Sequence, residues 1–126
     1  MKNNRLVVLL GMLLLLVMSA CKSEFERIRT SNDPELLFKK ANEYYNAGEY
    51  QKAQALYELV IASFRGRPEA EDISFKYAYT YYNTEQYILA SYYFKNFSQT
   101  YATSANREEA DFMSAYSNYQ LSPTFR

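Results

Sequence analysis

The sequence predicts an all-α chain: helix-turn-helix units stacked into a solenoid behind an N-terminal leader. Three observations predict it. From Pro34 onward, bulky apolar and aromatic residues recur at spacings of three and four. Glycine, proline and small-residue breaks separate these periodic stretches. One unit also returns at a fixed offset of 37 residues, and no stretch alternates convincingly with period two.

The leader comes first. Lys2 and Arg5 precede an uncharged run from Leu6 to Met18, and Ser19-Ala20 then lead to Cys21. A basic start, an apolar run and small residues at a cleavage point describe an export signal over 1–20. The run is too short for a comfortable membrane-spanning helix. Met18-Ser19-Ala20-Cys21 resembles a bacterial lipobox, with Met18 in place of the usual leucine. Cys21 is the only cysteine, so a lipidated N-terminus accounts for a thiol with no disulfide partner. Several acyl chains would anchor the chain to a membrane stably. Residues 21–33 then read as the lipidated cysteine and a polar tether.

The repeat domain is expected over 34–126. Asn32 and Asp33 offer N-caps, with Pro34 at the first helical position. Leu37, Phe38, Ala41, Tyr44 and Tyr45 form the apolar stripe of the first helix, and Gly48 supplies its turn. A second helix is expected from Tyr50 to Phe64, broken by Arg65-Gly66-Arg67-Pro68. A third runs from about Glu69 to Asn83 and a fourth from about Gln86 to Tyr101. Ala102 to Ala105 is a small-residue loop. A fifth helix runs from about Asn106 to Gln120, with Glu108, Glu109 and Asp111 at its start, where acids suit the helix dipole.

At an offset of 37, Phe38, Lys39, Ala41, Tyr44, Tyr45, Asn46, Tyr50 and Ala53 return as Phe75, Lys76, Ala78, Tyr81, Tyr82, Asn83, Tyr87 and Ala90. A further step gives Phe112, Ala115 and Tyr119. Helix pairs at this period are the tetratricopeptide class. The repeats fall at about 34–68, 69–105 and 106–126, the last incomplete; an ordinary helix bundle is the plainer alternative. The expectation is that the sequence is part of a longer protein.

Composition narrows the chemistry. The 126 residues contain no His and no Trp, and 14 basic side chains match 14 acidic ones. Without His, the usual general base and imidazole metal sites are missing. Three glycines leave no phosphate-cradling loop, and the absence of a basic block argues against nucleic acid. After removal of 1–20, 12 basic side chains face 14 acidic ones, a net charge of −2. No catalytic residue, metal or cofactor is expected. The carboxylates Glu69, Glu71 and Asp72, and Glu108, Glu109 and Asp111, are read as dipole compensation at helix starts.

The candidate site is a peptide groove on the first helices of the repeats. Four ladders at 37-residue spacing would line it: Phe38, Phe75, Phe112; Asn42, Tyr79, Tyr116; Tyr45, Tyr82, Tyr119; and Asn46, Asn83, Gln120. Aromatic faces supply contact area at low rotamer cost, and carboxamides bond both groups of an extended backbone. The plainer reading is that the rings pack between helices. Lys39 and Lys76 flank the groove, to meet a carboxylate or stand solvated. Phe38 and Phe75 stand where some tetratricopeptide co-chaperones place a carboxylate-holding lysine.

The run Ala90-Ser91-Tyr92-Tyr93-Phe94-Lys95-Asn96-Phe97, then Tyr101, Ser104, Glu108-Glu109-Ala110, Ala115-Tyr116, Tyr119 and Ser122-Pro123, carries a resemblance. Together with the lipobox, it is similar to the BamD (YfiO-like) outer-membrane protein assembly lipoproteins over about residues 30–126. The resemblance implies an outer-membrane lipoprotein on the periplasmic face. Implied partners are the barrel subunit of the assembly machine and aromatic-rich segments of unfolded outer-membrane proteins. Such families normally have five repeats, and the later ones carry much of the barrel-subunit contact. A glycan-binding nutrient lipoprotein with tetratricopeptide repeats is the alternative, and the regulatory front of an enzyme a third reading.

Overall fold

The computed structural model describes residues 4, 6–12 and 23–123. It divides into two compact units, Met1–Ser31 and Asn32–Arg126. In the first, residues 6–12 are helical and exposed, and α1 (Glu24–Arg29) lies in the stretch read as a tether. Ser23 caps α1, and Arg29 pairs with Glu26 at 2.9 Å. Cys21 and the cleavage point lie outside the described residues. Among the described residues, no helix is long and apolar enough to cross a membrane.

Among its described residues the second unit has five helices: α2 (Pro34–Asn46), α3 (Tyr50–Val60), α4 (Glu69–Asn83), α5 (Tyr87–Thr100) and α6 (Arg107–Gln120). Asp33 caps α2 by accepting from the Glu35 and Leu36 amides at 3.1 and 3.2 Å, with Pro34 at the first turn. Asn32, the other N-cap candidate, instead takes a left-handed φ of 54°. The principal packing is sequential: α2 on α3, α3 on α4, α4 on α5 and α5 on α6. Order of this kind is that of a helical repeat solenoid, in which each element packs on its chain neighbours.

The α3 helix ends at Val60, short of the expected Phe64. Beyond Val60 the backbone tightens: the Ser63 amide bonds the Val60 carbonyl at 2.9 Å and the Arg67 amide bonds Phe64 at 2.9 Å. Gly66 at φ 81° completes the reversal. The Phe64 amide still donates to Val60 at 3.1 Å, which keeps its ring on the buried face.

Both helix pairs are built on small residues. Ala41 and Ala53 in the first pair and Ala78 and Ala90 in the second are 0% exposed. Around them Leu56, Tyr57, Val60, Phe64, Ile73, Phe94 and Phe97 close the core. Ala115, in the register of Ala41 and Ala78, is exposed, as is Phe112 at 62%. Nothing among the described residues covers that face of α6.

The two turns inside the pairs are copies of each other. The Glu49 amide bonds Tyr44 and the Gly48 amide bonds Tyr45; 37 residues on, Gln86 bonds Tyr81 and Glu85 bonds Tyr82. This is the two-bond cap that needs a left-handed residue after the helix. Gly48 fills it at φ 76°, whereas Glu85 is held at φ 59°. A side chain in that conformation costs about 1–2 kcal/mol. Glu85→Gly should therefore stabilise the fold by about 1 kcal/mol. Gly48→Ala should destabilise it by about as much, purely through the backbone, since nothing lies within 4 Å of the added carbon. Urea unfolding followed by circular dichroism measures both.

Candidate functional site

The structure treats the four ladders differently. Phe38 packs on Phe64 at 5.0 Å, and Phe75 packs on Phe97 at 5.0 Å and Phe94 at 6.2 Å. These rings are partly buried in the seam between the two helices of their own pair. Phe112 has the same register and stands open, stacked on Tyr116 at 5.6 Å. The first ladder is therefore two seam rings and one surface ring.

The second ladder links the units. Tyr57 is fully buried and donates to Asn42 Oδ1 at 2.8 Å. Lys76 donates to the same oxygen at 3.0 Å and pairs with Asp72 at 2.8 Å. One unit later the register holds Phe94 and Tyr79, which pack edge to face at 4.9 Å, and the Tyr79 hydroxyl donates to Glu109. Lys76 is thus engaged between α2 and α4, with its ammonium 5.9 Å from the Tyr45 ring. Lys39 is exposed.

The third ladder comes nearest to a continuous aromatic surface. Tyr45 touches Tyr50 and Tyr57 at 5.5 and 6.3 Å, and Tyr82 touches Tyr87 at 5.5 Å. Tyr82 then leans on Tyr116 at 6.1 Å, and Tyr116 stacks on Tyr119 at 6.1 Å. Tyr82, Tyr116, Phe112 and Tyr119 so form one connected patch across α4 and α6, with Phe112 and Tyr119 its exposed members. The fourth ladder is split. Asn46 and Asn83 are exposed, while Gln120 is buried and donates to the Tyr82 hydroxyl at 3.4 Å. Asn83 Nδ2 donates one hydrogen to the Tyr79 carbonyl at 2.9 Å.

Burial governs the tyrosine chemistry. It pushes the Tyr45 phenol up to about 12, helped by the neighbouring Tyr50 and Asp72. It raises Tyr57, Tyr77 and Tyr79 as well, with the Glu109 carboxylate adding to the effect on Tyr79. All four phenols stay neutral at any physiological pH.

Several features escape a sequence reading. The acids Glu35, Asp72 and Glu109 form a register of their own, and each meets a different partner: Arg67 at 2.7 Å, Lys76, and the Tyr79 hydroxyl. The helix-start acids are thus specific ties as well as dipole partners. Glu71 accepts from Ser104 and Glu69 pairs with Arg67 at 3.1 Å. Repetition at 37 is the one signal that could have found the register. On α4 and α5, Tyr77 and Tyr81 share a 2.8 Å hydrogen bond and Tyr93 stacks on Tyr81 at 4.8 Å.

The model of the YfiO family, described as an outer membrane lipoprotein, matches residues 30–126. The chain belongs to this family. Its helix-pair fold and the boundary of the match near Asn32 agree with that membership. No curated protein gives a match.

Two outcomes follow from the site geometry. Asn42→Ala strands the buried Tyr57 hydroxyl, so it should cost about 1–3 kcal/mol. Tyr57→Phe should cost less, because Lys76 still satisfies Asn42 and the next unit uses Phe94 at that register. Thermal unfolding of the two single variants and the double variant measures the coupling. The buried phenols set the alkaline limit. Their pKa values are raised in the folded state, so their stabilisation is fully present below the ordinary phenol value of 10. For Tyr45 it is lost as pH climbs from 10 through about 12, and for Tyr57, Tyr77 and Tyr79 at higher pH still. Unfolding followed by phenolate absorbance should show the buried tyrosines ionising together with loss of helix.

Proposed function

We propose that this YfiO-family chain is a lipid-anchored, periplasm-facing component of the machine that assembles outer-membrane β-barrels. Cys21 is the lipid attachment point, behind a signal over 1–20, with 21–33 as the tether. The repeat domain acts as a scaffold for the barrel subunit and binds extended, aromatic-rich segments of unfolded outer-membrane proteins. It performs no catalysis.

One observation carries the peptide-binding reading: the connected patch of Tyr82, Tyr116, Phe112 and Tyr119, flanked by exposed Asn83. Tyrosines seated this way present a ring and a hydroxyl without ordering a long side chain. Asn46 and Tyr45 extend the same line onto α2. Phe38, Phe75, Asn42 and Tyr79 support the surface from below, by holding α2, α4 and α6 in register. Aromatic segments would lie across the tyrosines, and carboxamides would meet their backbone.

The test is a titration of the full chain with a peptide that copies the aromatic-ended C-terminus of an outer-membrane barrel. Saturable binding is expected. Tyr45→Ala/Tyr82→Ala should weaken it about tenfold or more while the far-ultraviolet spectrum stays helical. A folded chain that shows no saturable binding would overturn peptide capture.

A further inference from the structure

Between the two copied turns lies a cleft of about 410 Å³, lined by Gly48, Glu49, Tyr50, Lys52, Asn83 and Glu85, with Gln51 and Thr84 on its wall. Its two walls differ: the α3 side brings the first-turn amides, which have no side-chain cap, and Lys52, while the α4 side brings acceptors. Asn83 donates one of its two Nδ2 hydrogens to the Tyr79 carbonyl, and its Oδ1 accepts no hydrogen bond among the described residues. Thr84 donates its hydroxyl hydrogen to the Thr80 carbonyl at 2.8 Å and accepts from Gln86 at 2.8 Å. The one ammonium on the rim, Lys52, pairs with Glu49. The Glu85 carboxylate makes no ion pair among the described residues. The carbonyl end of α4, at Asn83 and its cap Thr84, adds partial negative charge. On the α4 side, acceptors and one carboxylate without an ion pair thus face a cleft that Tyr50 also lines.

Glu85 is also a residue the fold would replace. Its register partner is Gly48, and only there does the left-handed turn hold a residue suited to it. Backbone strain kept at a cleft wall is a pointer to use.

We propose that this cleft is a binding site for a guanidinium group, that of an arginine side chain in a bound polypeptide segment. A planar cation with several donors suits the Glu85 carboxylate and the Asn83 oxygen together. The site lies beside Asn83, the residue that closes the aromatic line on α4, so a segment on that line would reach the cleft with a neighbouring side chain. The proposal does not rest on peptide capture by the tyrosines, because the guanidinium can be tested alone.

The probe is N-acetyl-arginine amide, titrated into the isotope-labelled full chain in detergent micelles and followed by amide chemical shifts. The citrulline analogue, the same shape without the charge, is the control. Saturable shifts confined to the two turns are expected. They should weaken with salt and be nearly absent with citrulline. Glu85→Gln keeps the backbone strain and removes the charge; Glu85→Gly removes both and should raise the melting temperature. Both should bind about tenfold more weakly or worse, and loss in the stabilised glycine variant separates binding from folding. Absence of saturable shifts, shifts elsewhere on the chain, equal binding of citrulline, or unchanged binding by Glu85→Gln would each overturn the site. Tyr45→Ala/Tyr82→Ala, which tests the aromatic reading, should leave this binding in place.

Discussion

The close approach of two helices across alanine sets the rest of the structure. Ala41 against its pair and Ala78 against its own are fully buried, as are Ala53 and Ala90 on the facing helices. With no side chain to hold the backbones apart, the rings must pack around the crossing instead of at it. Phe38 and Phe75 close the seam at one end; Tyr45 with Tyr50 and Tyr82 with Tyr87 close it at the other. Such closeness also demands a reversal within a few residues. That is why a left-handed position recurs at Gly48 and Glu85, even where the residue there is glutamate.

Polar contacts then space one pair from the next. Tyr57, Asn42, Lys76 and Asp72 bind α2 and α3 to α4, while Tyr79 and Glu109 bind α4 to α6. The loops tie back in a parallel way, Arg67 to Glu35 and Ser104 to Glu71. Most of these charges are exposed, so each adds little stability, yet together they fix orientation. They also engage several of the charged side chains near the first helices of the pairs. What remains outward is tyrosine, carboxamide and a few charges, Lys39, Glu108 and the Glu85 carboxylate among them.

Local structure was legible in the residues because it depends on local rules. The proline start, the cap at Asp33 and the glycine turn at Gly48 place α2 to within a residue or two. The end of α3 was not legible, since the tightened bonds after Val60 leave Phe64 buried as a continuing helix would. In the site, ring positions were legible and ring exposure was not. Phe38, Phe75 and Phe112 share a residue type and a register, yet only Phe112 is open, because only its face lacks a covering helix among the described residues. The link between units was hidden for another reason. Its chemistry changes from Tyr57–Asn42 to Phe94–Tyr79 while its place does not.

That change explains why the array is rich in tyrosine instead of leucine. A leucine at these positions serves only where it is covered. A tyrosine serves in both settings: Tyr57 is wholly buried with its hydroxyl bonded, Tyr79 is partly buried with its hydroxyl on a carboxylate, and Tyr119 is exposed. One residue type so supplies core at one register and contact surface at another. A repeat protein that must pack on itself and still offer a surface is served by this substitution of ring for aliphatic, at the cost of a core that ionises in alkali.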